Sequence, residues 1–495
     1  MDAPHLVLDF DQICQQARHG QLGIEQLLDI IRQQQQTIKR LTANEKRLIE
    51  RLSQYEPQAA TQASGQAKAS DSSYSLDAET KRRKRRKRRK KSPGRQPTEV
   101  KFADAESIEE IYPEGVNRRD CHLVRERAIW RLENNRAIRV GYRIFAGPDG
   151  KEPRIPGVTP RCEYGIEILV VLAFMTYIIG LSLDKTCQVL AFFCQLPLSK
   201  SQADALLRQL AQHWEGEFEL LCDMLVYQAV VYMDETGWKV GQERCSLWAF
   251  VTKFQRVFLF GCHKDAATLD SMLPPDKFEG IGVSDDASVY QNRFLQGQKC
   301  WAHLLRKAIK LALLYPDNTK YQNFLEKLLA IYHSAKKSAE DKNLDEAARK
   351  HKVTELEGQL CELLMKYPPE ATKDLSPPER DFANLVEELS RLVEAEELFT
   401  FVLVPEVEGT NNTSERILRN PALDRKAGRT NKTPKGAHRR SVIVSVLESL
   451  RANLSQFNLP NVLEEIRRWM EEGLSLFAKQ WQSLQGGQAK VEPTD

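Results

Sequence analysis

The chain has 495 residues, and its 41% hydrophobic and 28% charged residues are typical of a soluble folded protein rather than a fibrous or disordered one. Its length exceeds what one hydrophobic core usually needs, so we expect several domains. The ten cysteines include no Cys-x-x-Cys, and the N-terminus lacks the basic flank of a secretory signal. These features argue against a disulfide framework and favour a reducing, cytoplasmic location.

The first 55 residues carry a heptad pattern typical of a coiled coil. Two heptad positions each recur five times between residues 24 and 55, and eight of these ten residues are apolar. The first position is held by Ile24, Ile31, Ile38, Glu45 and Leu52, and the second by Leu27, Gln34, Leu41, Leu48 and Tyr55. We therefore predict an N-terminal helical segment, 1–55, whose coiled coil of about four heptads forms a homodimer. The alternative is one amphipathic helix packed within its own chain.

Residues 56–100 combine a low-complexity stretch with a strongly basic arm. The arm, "KRRKRRKRRKK" at 81–91, and Arg95 hold 12 of the 72 Lys and Arg residues, which leaves 60 basic against 68 acidic side chains elsewhere. Because like charges repel, we predict a disordered linker whose arm binds nucleic acid with release of counterions. The candidate DNA-binding residues of the arm are Lys81, Arg82, Arg83, Lys84, Arg85 and Arg86. The alternative is a solvated linker or an import signal.

Residues 101–225 are predicted to form a helical DNA-binding region after a mixed segment at 101–160. The apolar run at 168–181 is shorter than the roughly 20 residues of a membrane span, which indicates a buried core helix and no membrane partner. Two further helices, "LDKTCQVLAFFCQ" and "SQADALLRQLAQHW", are separated by a short break, as in a helix-turn-helix. In that motif Lys200, Gln202 and Asp204 would face DNA bases. Ordinary packing of three helices in a core is the alternative.

The next region has the element order β-β-β-α-β. The segments "AVVYMD", "CSLWAFVTK" and "RVFLFGC" are typical of strands, "AATLDSML" of a helix, and "GIGVSDD" of a strand that ends in acids. Asp234 and either Asp285 or Asp286 thus end two strands that we expect to be adjacent. Buried carboxylates so close together require a cation, and oxygen ligands suit Mg²⁺. Taken singly, each acid is also typical of a turn or a helix cap.

A third acid, Glu415, lies in "GTNNTSERILR" on a predicted helix capped by Asn412 or Thr413. The segment from Arg416 to Arg440 has nine Lys and Arg residues against one acid, which predicts a surface for phosphate groups. Its candidate DNA-binding residues are Arg416, Arg419, Arg425, Lys426, Arg429, Lys432, Lys435 and Arg439.

Five motifs occur in order along the chain: "DETGW", "SDDASVY", "KCWAHLLRKA", "NNTSERILR" and "RTNKTPKGAHRR". With these motifs the chain resembles the insertion-sequence-66 transposases of the DDE superfamily, over roughly residues 115–475. The resemblance implies a ribonuclease-H-like catalytic core, two divalent ions, Mg²⁺ or Mn²⁺, and the cutting and joining of double-stranded DNA at transposon ends. It also implies a bacterial, nucleoid-associated homo-oligomer that works with companion transposition proteins.

The family motifs transfer to individual residues of this chain. Asp234 matches the first catalytic Asp and Glu415 the final Glu, and both would also be metal ligands. The family has a Tyr five residues after its second Asp, so Tyr290 selects Asp285, with Asp286 as the alternative. The expected domains are a core at 226–315 and 406–475, an inserted helical domain at 316–405, and a disordered tail at 476–495.

The chain departs from the family in its potential zinc ligands. The family often has a cysteine-rich zinc segment before the core, where this chain has Cys121, His122 and Cys162, so we expect no zinc there. Cys300 and His303 have half the spacing of a zinc site. For His303, a residue of the family motif, we favour a structural or substrate-contacting role over ligation. Trp301, of the same motif, is expected in the core together with Trp238 and Trp248.

Two other functions are compatible with these features. An inactive relative would keep the DNA-binding segments and act as a regulator. A coiled-coil scaffold would instead use its basic patches on RNA or on acidic partners, with the acids serving in turns and caps. Metal dependence distinguishes them, because only the enzyme requires Asp234, Asp285 and Glu415 to bind divalent ions together.

Overall fold

The computed structural model describes residues 96–368 and 375–488. The predicted coiled coil, most of the low-complexity linker and the basic arm lie outside the described residues. Within the described ranges the chain is an α/β protein with two sheets and fourteen α-helices. No helix in these ranges is long and apolar enough to cross a membrane.

The described chain begins with a short helix and a three-stranded sheet. The elements are α1 (Thr98–Ala103), β1 (Ser107–Ile111), β2 (His122–Glu133) and β3 (Arg136–Ala146), and the sheet order is β1-β3-β2. The antiparallel strands β2 and β3 meet at Asn134 and Asn135, whose φ angles of 48° and 62° are the positive values that a two-residue hairpin turn needs. The segment predicted as mixed, 101–160, thus contains a β-hairpin, and the longer helices begin only at Ile166.

Three helices follow the first sheet. They are α2 (Ile166–Ala173), α3 (Leu183–Phe193) and α4 (Lys200–Asp223). The apolar run at 168–181 begins in α2 and continues into a π-helical turn at Phe174–Ile178, and most of its side chains are buried. The prediction of a buried core segment is thus confirmed. The segment ends at Gly180, whose φ of 75° lies in the left-handed region that favours glycine.

A five-stranded mixed sheet carries the first two predicted acids. Its strands are β4 (Val230–Val240), β5 (Glu243–Val251), β6 (Arg256–Cys262), β7 (Ile281–Ser284) and β8 (Gln296–Lys299), with α5 (Ala266–Met272) between β6 and β7. The order across the sheet is β6-β5-β4-β7-β8. Strands β4, β5 and β6 are antiparallel, whereas β4, β7 and β8 are parallel. The predicted element order β-β-β-α-β is confirmed.

The fifth strand, β8, was not predicted because its sequence, QGQK, has no apolar residue. It is buried because its polar groups find partners inside the protein. The Gln298 side chain donates a hydrogen bond to the carbonyl oxygen of Leu398 (3.1 Å) and accepts one from the backbone N–H of Phe401 (3.0 Å). The backbone N–H of Lys299 donates to the carbonyl oxygen of Glu397, 2.7 Å away. Residues 397–401 therefore cover this edge of the sheet.

The remaining helices pack on the five-stranded sheet in two groups. They are α6 (Trp301–Leu314), α7 (Thr319–Glu340), α8 (Glu346–Met365), α9 (Pro377–Glu394), α10 (Thr400–Leu403), α11 (Asn412–Lys426), α12 (Pro434–Asn453), α13 (Leu459–Glu472) and α14 (Leu476–Gln488). Helices α6 to α10 share one hydrophobic cluster with β4, β5 and β7. Helices α2, α4, α12 and α13 share the other cluster with β4, β5 and β6. Trp238, Trp248 and Trp301 are buried in these clusters, as predicted.

The tail predicted as disordered, 476–495, begins with helix α14. Phe477 is fully buried, and Trp481 packs edge-to-face on Tyr227 with ring centroids 5.2 Å apart. The prediction of disorder was therefore wrong for this helix, because these aromatic contacts bury its inner face. Residues 489–495 lie outside the described ranges.

Helix α12 pairs with the outer edge of β6 through three serines. The hydroxyl oxygens of Ser441, Ser445 and Ser449 accept hydrogen bonds of 2.8–2.9 Å from the backbone N–H groups of alternate residues of β6. The serines are four residues apart and so lie on one face of the helix, while alternate strand residues point to one side. Side chains of the helix thus take the place of a neighbouring strand.

Candidate active site

The five-stranded sheet brings the first two predicted acids together. Strand β4 pairs in parallel with β7 in a register that sets Tyr232 opposite Val283. Asp234 and Asp285 each lie two residues further along, so they extend from the same end of this strand pair. The Asp234 carboxylate accepts the backbone N–H of Glu235 (2.9 Å), and the Asp285 carboxylate accepts that of Ala287 (3.0 Å).

The Asp234 carboxyl lies among other negatively charged groups. Burial raises the pKa of its carboxyl to about 7, and the negative charges of Glu235, Asp285 and Glu415 add to the effect. In the part of the chain that the structure describes, neither Asp234 nor Asp285 has a salt-bridge partner. A divalent ion with oxygen ligands would relieve this repulsion, so the donor set fits Mg²⁺ or Mn²⁺.

Glu235, the neighbour of Asp234, serves a different purpose on the opposite face of the strand. Its side chain is 5% exposed, forms a salt bridge with Lys264 and accepts a hydrogen bond from the hydroxyl of Tyr290. Burial and the Glu235 charge raise the pKa of Tyr290 well above its ordinary value, which keeps the hydroxyl protonated as a donor. The two acids of "DETGW" thus differ in their contacts: Glu235, unlike Asp234, anchors the segment that follows Asp285.

The contacts of Asp286 differ from those of Asp285. Asp286 forms a salt bridge with Arg391 of α9, and its side chain is 13% exposed. Its charge is therefore balanced by the helical segment between residues 316 and 405. Asp285, in contrast, is among the charges that raise the pKa of Asp234. This contrast favours Asp285 as the second acid of the site.

Glu415 lies in the first turn of α11, which starts against β4. The residue before the helix is Asn411, so the prediction of a cap at Asn412 or Thr413 was wrong by one or two residues. The Asn411 side chain does not cap the helix, because its amide group donates to the carbonyl oxygen of Met233 at 2.6 Å. Its backbone N–H donates to the sulfur of Cys300 at 3.1 Å. This buried asparagine holds the start of α11 beside Asp234.

The Glu415 carboxylate is turned toward helix α6. Both of its oxygens lie 3.3 Å from Nη2 of Arg306, and Oε1 lies 3.6 Å from Nδ1 of His303. Among the described residues, the group of potential ligands whose donor atoms all lie within 4.8 Å of one another is Cys300, His303 and Glu415. The three predicted acids, Asp234, Asp285 and Glu415, do not converge this closely. Trp301 of the same motif is structural, since its indole N–H donates to the carbonyl oxygen of Leu398 at 2.7 Å.

The predicted DNA-binding residues of α11, α12 and the loop between them fall into two classes. Three of them are occupied within the protein: Arg425 donates to the Thr236 hydroxyl (2.9 Å), Arg429 pairs with Asp424 (3.5 Å) and Arg439 pairs with Asp204 (2.7 Å). The others are exposed to solvent, and they are Arg416, Arg419, Lys426, Lys432 and Lys435. Only this second class is free to meet phosphate groups.

The three residues expected to read bases from α4 also make contacts within the protein. Lys200 forms a salt bridge with Asp184 (2.8 Å), and Gln202 completes a capping box with Ser199. Asp204 pairs with Arg439 of α12. Helix α4 therefore packs as a structural helix against α12 in this state of the protein, and base recognition by these side chains would require these contacts to open.

Sequence comparison adds an independent observation to this geometry. The family model described as Transposase IS66 family matches residues 161–439, which is more than half of the chain and includes all three predicted acids. No curated protein is significantly similar to the chain.

Proposed function

The chain belongs to the IS66 transposase family, and from this premise we propose that it cuts the ends of a DNA element and joins them to target DNA in a metal-dependent reaction. Asp234, Asp285 and Glu415 are the proposed catalytic acids. The proposal rests on one observation above all: two half-buried carboxylates, Asp234 and Asp285, lie at the same end of adjacent parallel strands, where burial and like charges raise the pKa of Asp234 to about 7.

We further propose that the five-stranded sheet is a ribonuclease-H-like core. Three antiparallel strands followed by two strands parallel to the first, in the order β6-β5-β4-β7-β8, support this assignment. In this proposal Asp234, on the central strand, and Asp285, after its parallel neighbour, would be the first two acids of the core. The helices between residues 316 and 405 interrupt the core in sequence and would shape the access of DNA to the acids.

Asp234, Asp285 and Glu415 would hold two ions, Mg²⁺ or Mn²⁺. When bound, such ions stabilise both the attacking and the leaving oxygen of an in-line phosphoryl displacement. The residues of the chain hold the acids in register: Asn411 fixes α11 against β4, and Tyr290 fixes the segment after Asp285 through Glu235. Glu415 would turn from Arg306 toward the two aspartates when the ions bind.

The reaction would proceed in two displacements of the same kind. Water first attacks at the element's end and frees a 3′-hydroxyl, which then attacks a phosphodiester of the target. No covalent protein intermediate is needed, so no side-chain nucleophile is required. The exposed cations of α11, α12 and the loop between them, such as Arg416 and Lys432, would position the phosphates.

Synapsis of two DNA ends requires more than one chain. We propose that the N-terminal coiled coil forms a homodimer, and that the basic arm binds DNA without sequence preference. Companion proteins encoded beside the element would complete the complex. These roles belong to segments outside the described residues.

A catalytically inactive regulator remains the second candidate function. It would use the same exposed cations to bind DNA but would not need the acids. The experiment that separates the two uses labelled double-stranded DNA with the element's own ends, the full chain, and Mg²⁺ or Mn²⁺. We expect the wild type to cut the ends, Asp234→Asn to bind equally well without cutting, and the surface control Asp317→Asn to cut normally. Binding without cutting by all three proteins, with the companion proteins present, would favour the regulator.

A further inference from the structure

Cys300, His303 and Glu415 bring three different donor atoms together beside the carboxylate site. Cys300 precedes helix α6, and His303 lies in its first turn, whereas Glu415 comes from the first turn of α11. The sulfur, the ring nitrogen and a carboxylate oxygen all lie within 4.8 Å of one another. The two donors of "CWAH" are thus joined by a third, Glu415, which is 112 positions from His303 in the sequence.

The surroundings of two of these donor atoms suit a bound cation. Nδ1 of His303 is buried, has no hydrogen-bond partner, and lies 3.6 Å from Oε1 of Glu415. An unpaired buried ring nitrogen is unfavourable unless it meets a donor or a cation. The Cys300 sulfur accepts the backbone N–H of Asn411 at 3.1 Å. Burial raises the pKa of this thiol, and the hydrogen bond from Asn411 opposes that effect by stabilising negative charge on the sulfur.

A cavity borders two of the three donor residues, Cys300 and His303. A cavity of about 230 Å³ is lined by Cys300 and His303 together with Asp285, Lys299 and Lys307. Glu388 of helix α9 also lines this cavity. The cavity thus provides space for a small ion beside Cys300 and His303.

The chemistry of the three donors selects the ion. Thiolate and imidazole favour Zn²⁺ and similar ions, whereas Mg²⁺ takes oxygen ligands. Three protein ligands leave a fourth position open in a tetrahedral site. We propose that Cys300, His303 and Glu415 form a binding site for a thiophilic divalent cation, represented by Zn²⁺, which is separate in ligand type from the carboxylate site.

The shared residue, Glu415, makes the two sites compete. A Zn²⁺ ion on Cys300 and His303 holds Glu415 on the α6 side, where Arg306 balances its charge in the metal-free protein. Glu415 is then withdrawn from Asp234 and Asp285. Zn²⁺ should therefore inhibit Mg²⁺-dependent cleavage, an expectation that rests on the proposed function.

The binding test needs no DNA. The full chain, reduced and stripped of metal, is titrated with Co²⁺, and the sulfur-to-cobalt charge-transfer absorption is recorded. We expect the wild type to show this absorption with one Co²⁺ bound per chain and Cys300→Ser to lose it. The affinity for Co²⁺ should fall at least tenfold in His303→Ala and in Glu415→Gln. Added Zn²⁺ should displace Co²⁺ from the wild type. Cys361→Ser, a change of a half-buried cysteine in α8, is the matched control and should keep the full absorption.

Circular dichroism spectra of all variants establish that they fold. The proposed site would be wrong if Cys300→Ser kept the full absorption. It would also be wrong if His303→Ala and Glu415→Gln bound Co²⁺ with the affinity of the wild type. In a second assay, the ratio of end cleavage with and without Zn²⁺ is compared between the wild type and Cys300→Ser. A protein that binds Co²⁺ through these residues but never cuts DNA would retain the site and reject the proposed function. A protein that cuts DNA but lacks the cobalt absorption would support the proposed function and reject the metal site.

Discussion

The side-chain amide of Asn411 donates a hydrogen bond of 2.6 Å to the backbone carbonyl oxygen of Met233, the residue before Asp234. The two residues are 178 positions apart in the chain, yet this contact fixes the helix of Glu415 against the strand of Asp234. Asn411 is 1% exposed, so water does not replace the bond if it is lost.

Asn411→Ala should therefore disturb the site more than the fold. Loss of the donor leaves a buried carbonyl oxygen unpaired, which destabilises the protein by about 1–3 kcal/mol. We expect end cleavage to fall at least tenfold in a protein that still unfolds cooperatively in urea. Asn420→Ala, on the exposed side of the same helix, is the control. Equal cleavage by the two variants would contradict the positioning role of Asn411.

Tyr290→Phe tests the anchor on the opposite face of β4. The change removes a hydroxyl that donates to the buried carboxylate of Glu235 and leaves the ring packing intact. A hydrogen bond to a charged group contributes about 1.5–3 kcal/mol, so the urea midpoint should fall accordingly. Tyr315→Phe, at a partly exposed tyrosine, should leave it unchanged. If Tyr290→Phe lost no stability, the segment after Asp285 would be held by other contacts.

The stability of the metal-free protein should depend on pH through Asp234. Its folded pKa of about 7 lies above the ordinary value of 3.8, so the folded state binds more protons than the unfolded chain between these values. The contribution of Asp234 is complete below pH 4 and is lost as the pH rises through 7. The loss amounts to at most about 4 kcal/mol.

Chemical unfolding in EDTA from pH 4 to 8 measures this effect. Asp234→Asn should be more stable than the wild type at pH 8, and the difference should shrink toward pH 4. Added Mg²⁺ should raise the stability of the wild type but not that of Asp234→Asn. Asp317→Asn, at an exposed position, should follow the wild type throughout. A variant Asp234→Asn that was less stable at pH 8 would mean that Asp234 has a cationic partner in the protein.

Substitutions at Asp285 and Asp286 should separate catalysis from stability. Asp285→Asn is expected to reduce end cleavage at least a hundredfold with little change in the urea midpoint. Asp286→Asn leaves Arg391 without its partner and should lower stability by about 1–3 kcal/mol, while cleavage stays within tenfold of the wild type. The opposite pattern in the cleavage assay would identify Asp286 as the second acid.

The exposed cations should act on DNA through phosphate contacts. The double variant Lys432→Ala/Lys435→Ala should weaken binding to all sequences alike and reduce the slope of log affinity against log salt by about 2. The control, Lys336→Ala/Lys350→Ala, removes the same charge from α7 and α8. An unchanged slope in the first variant would exclude this surface from the DNA interface.

Patterns within single elements were sufficient to predict part of this fold. The apolar segments of β4, β5 and β6 and the acid that ends β7 could be recognised because each element carries its own periodicity. Strand β8 could not, since Gln298 is buried through bonds to residues about 100 positions away. The same applies to the site: Asp234 was visible at a strand end, whereas the roles of Asn411 and Glu235 depend on partners 178 and 55 positions away.

Both outer strands of the five-stranded sheet have their backbone groups engaged, β6 by the serines of α12 and β8 by residues 397–401. The sheet therefore cannot lengthen by accepting a strand from another copy of the chain. Crowding of many copies along one DNA molecule would otherwise favour such edge-to-edge growth and lead to aggregates. Any contact between chains that involves this sheet must then use side-chain surfaces rather than strand pairing.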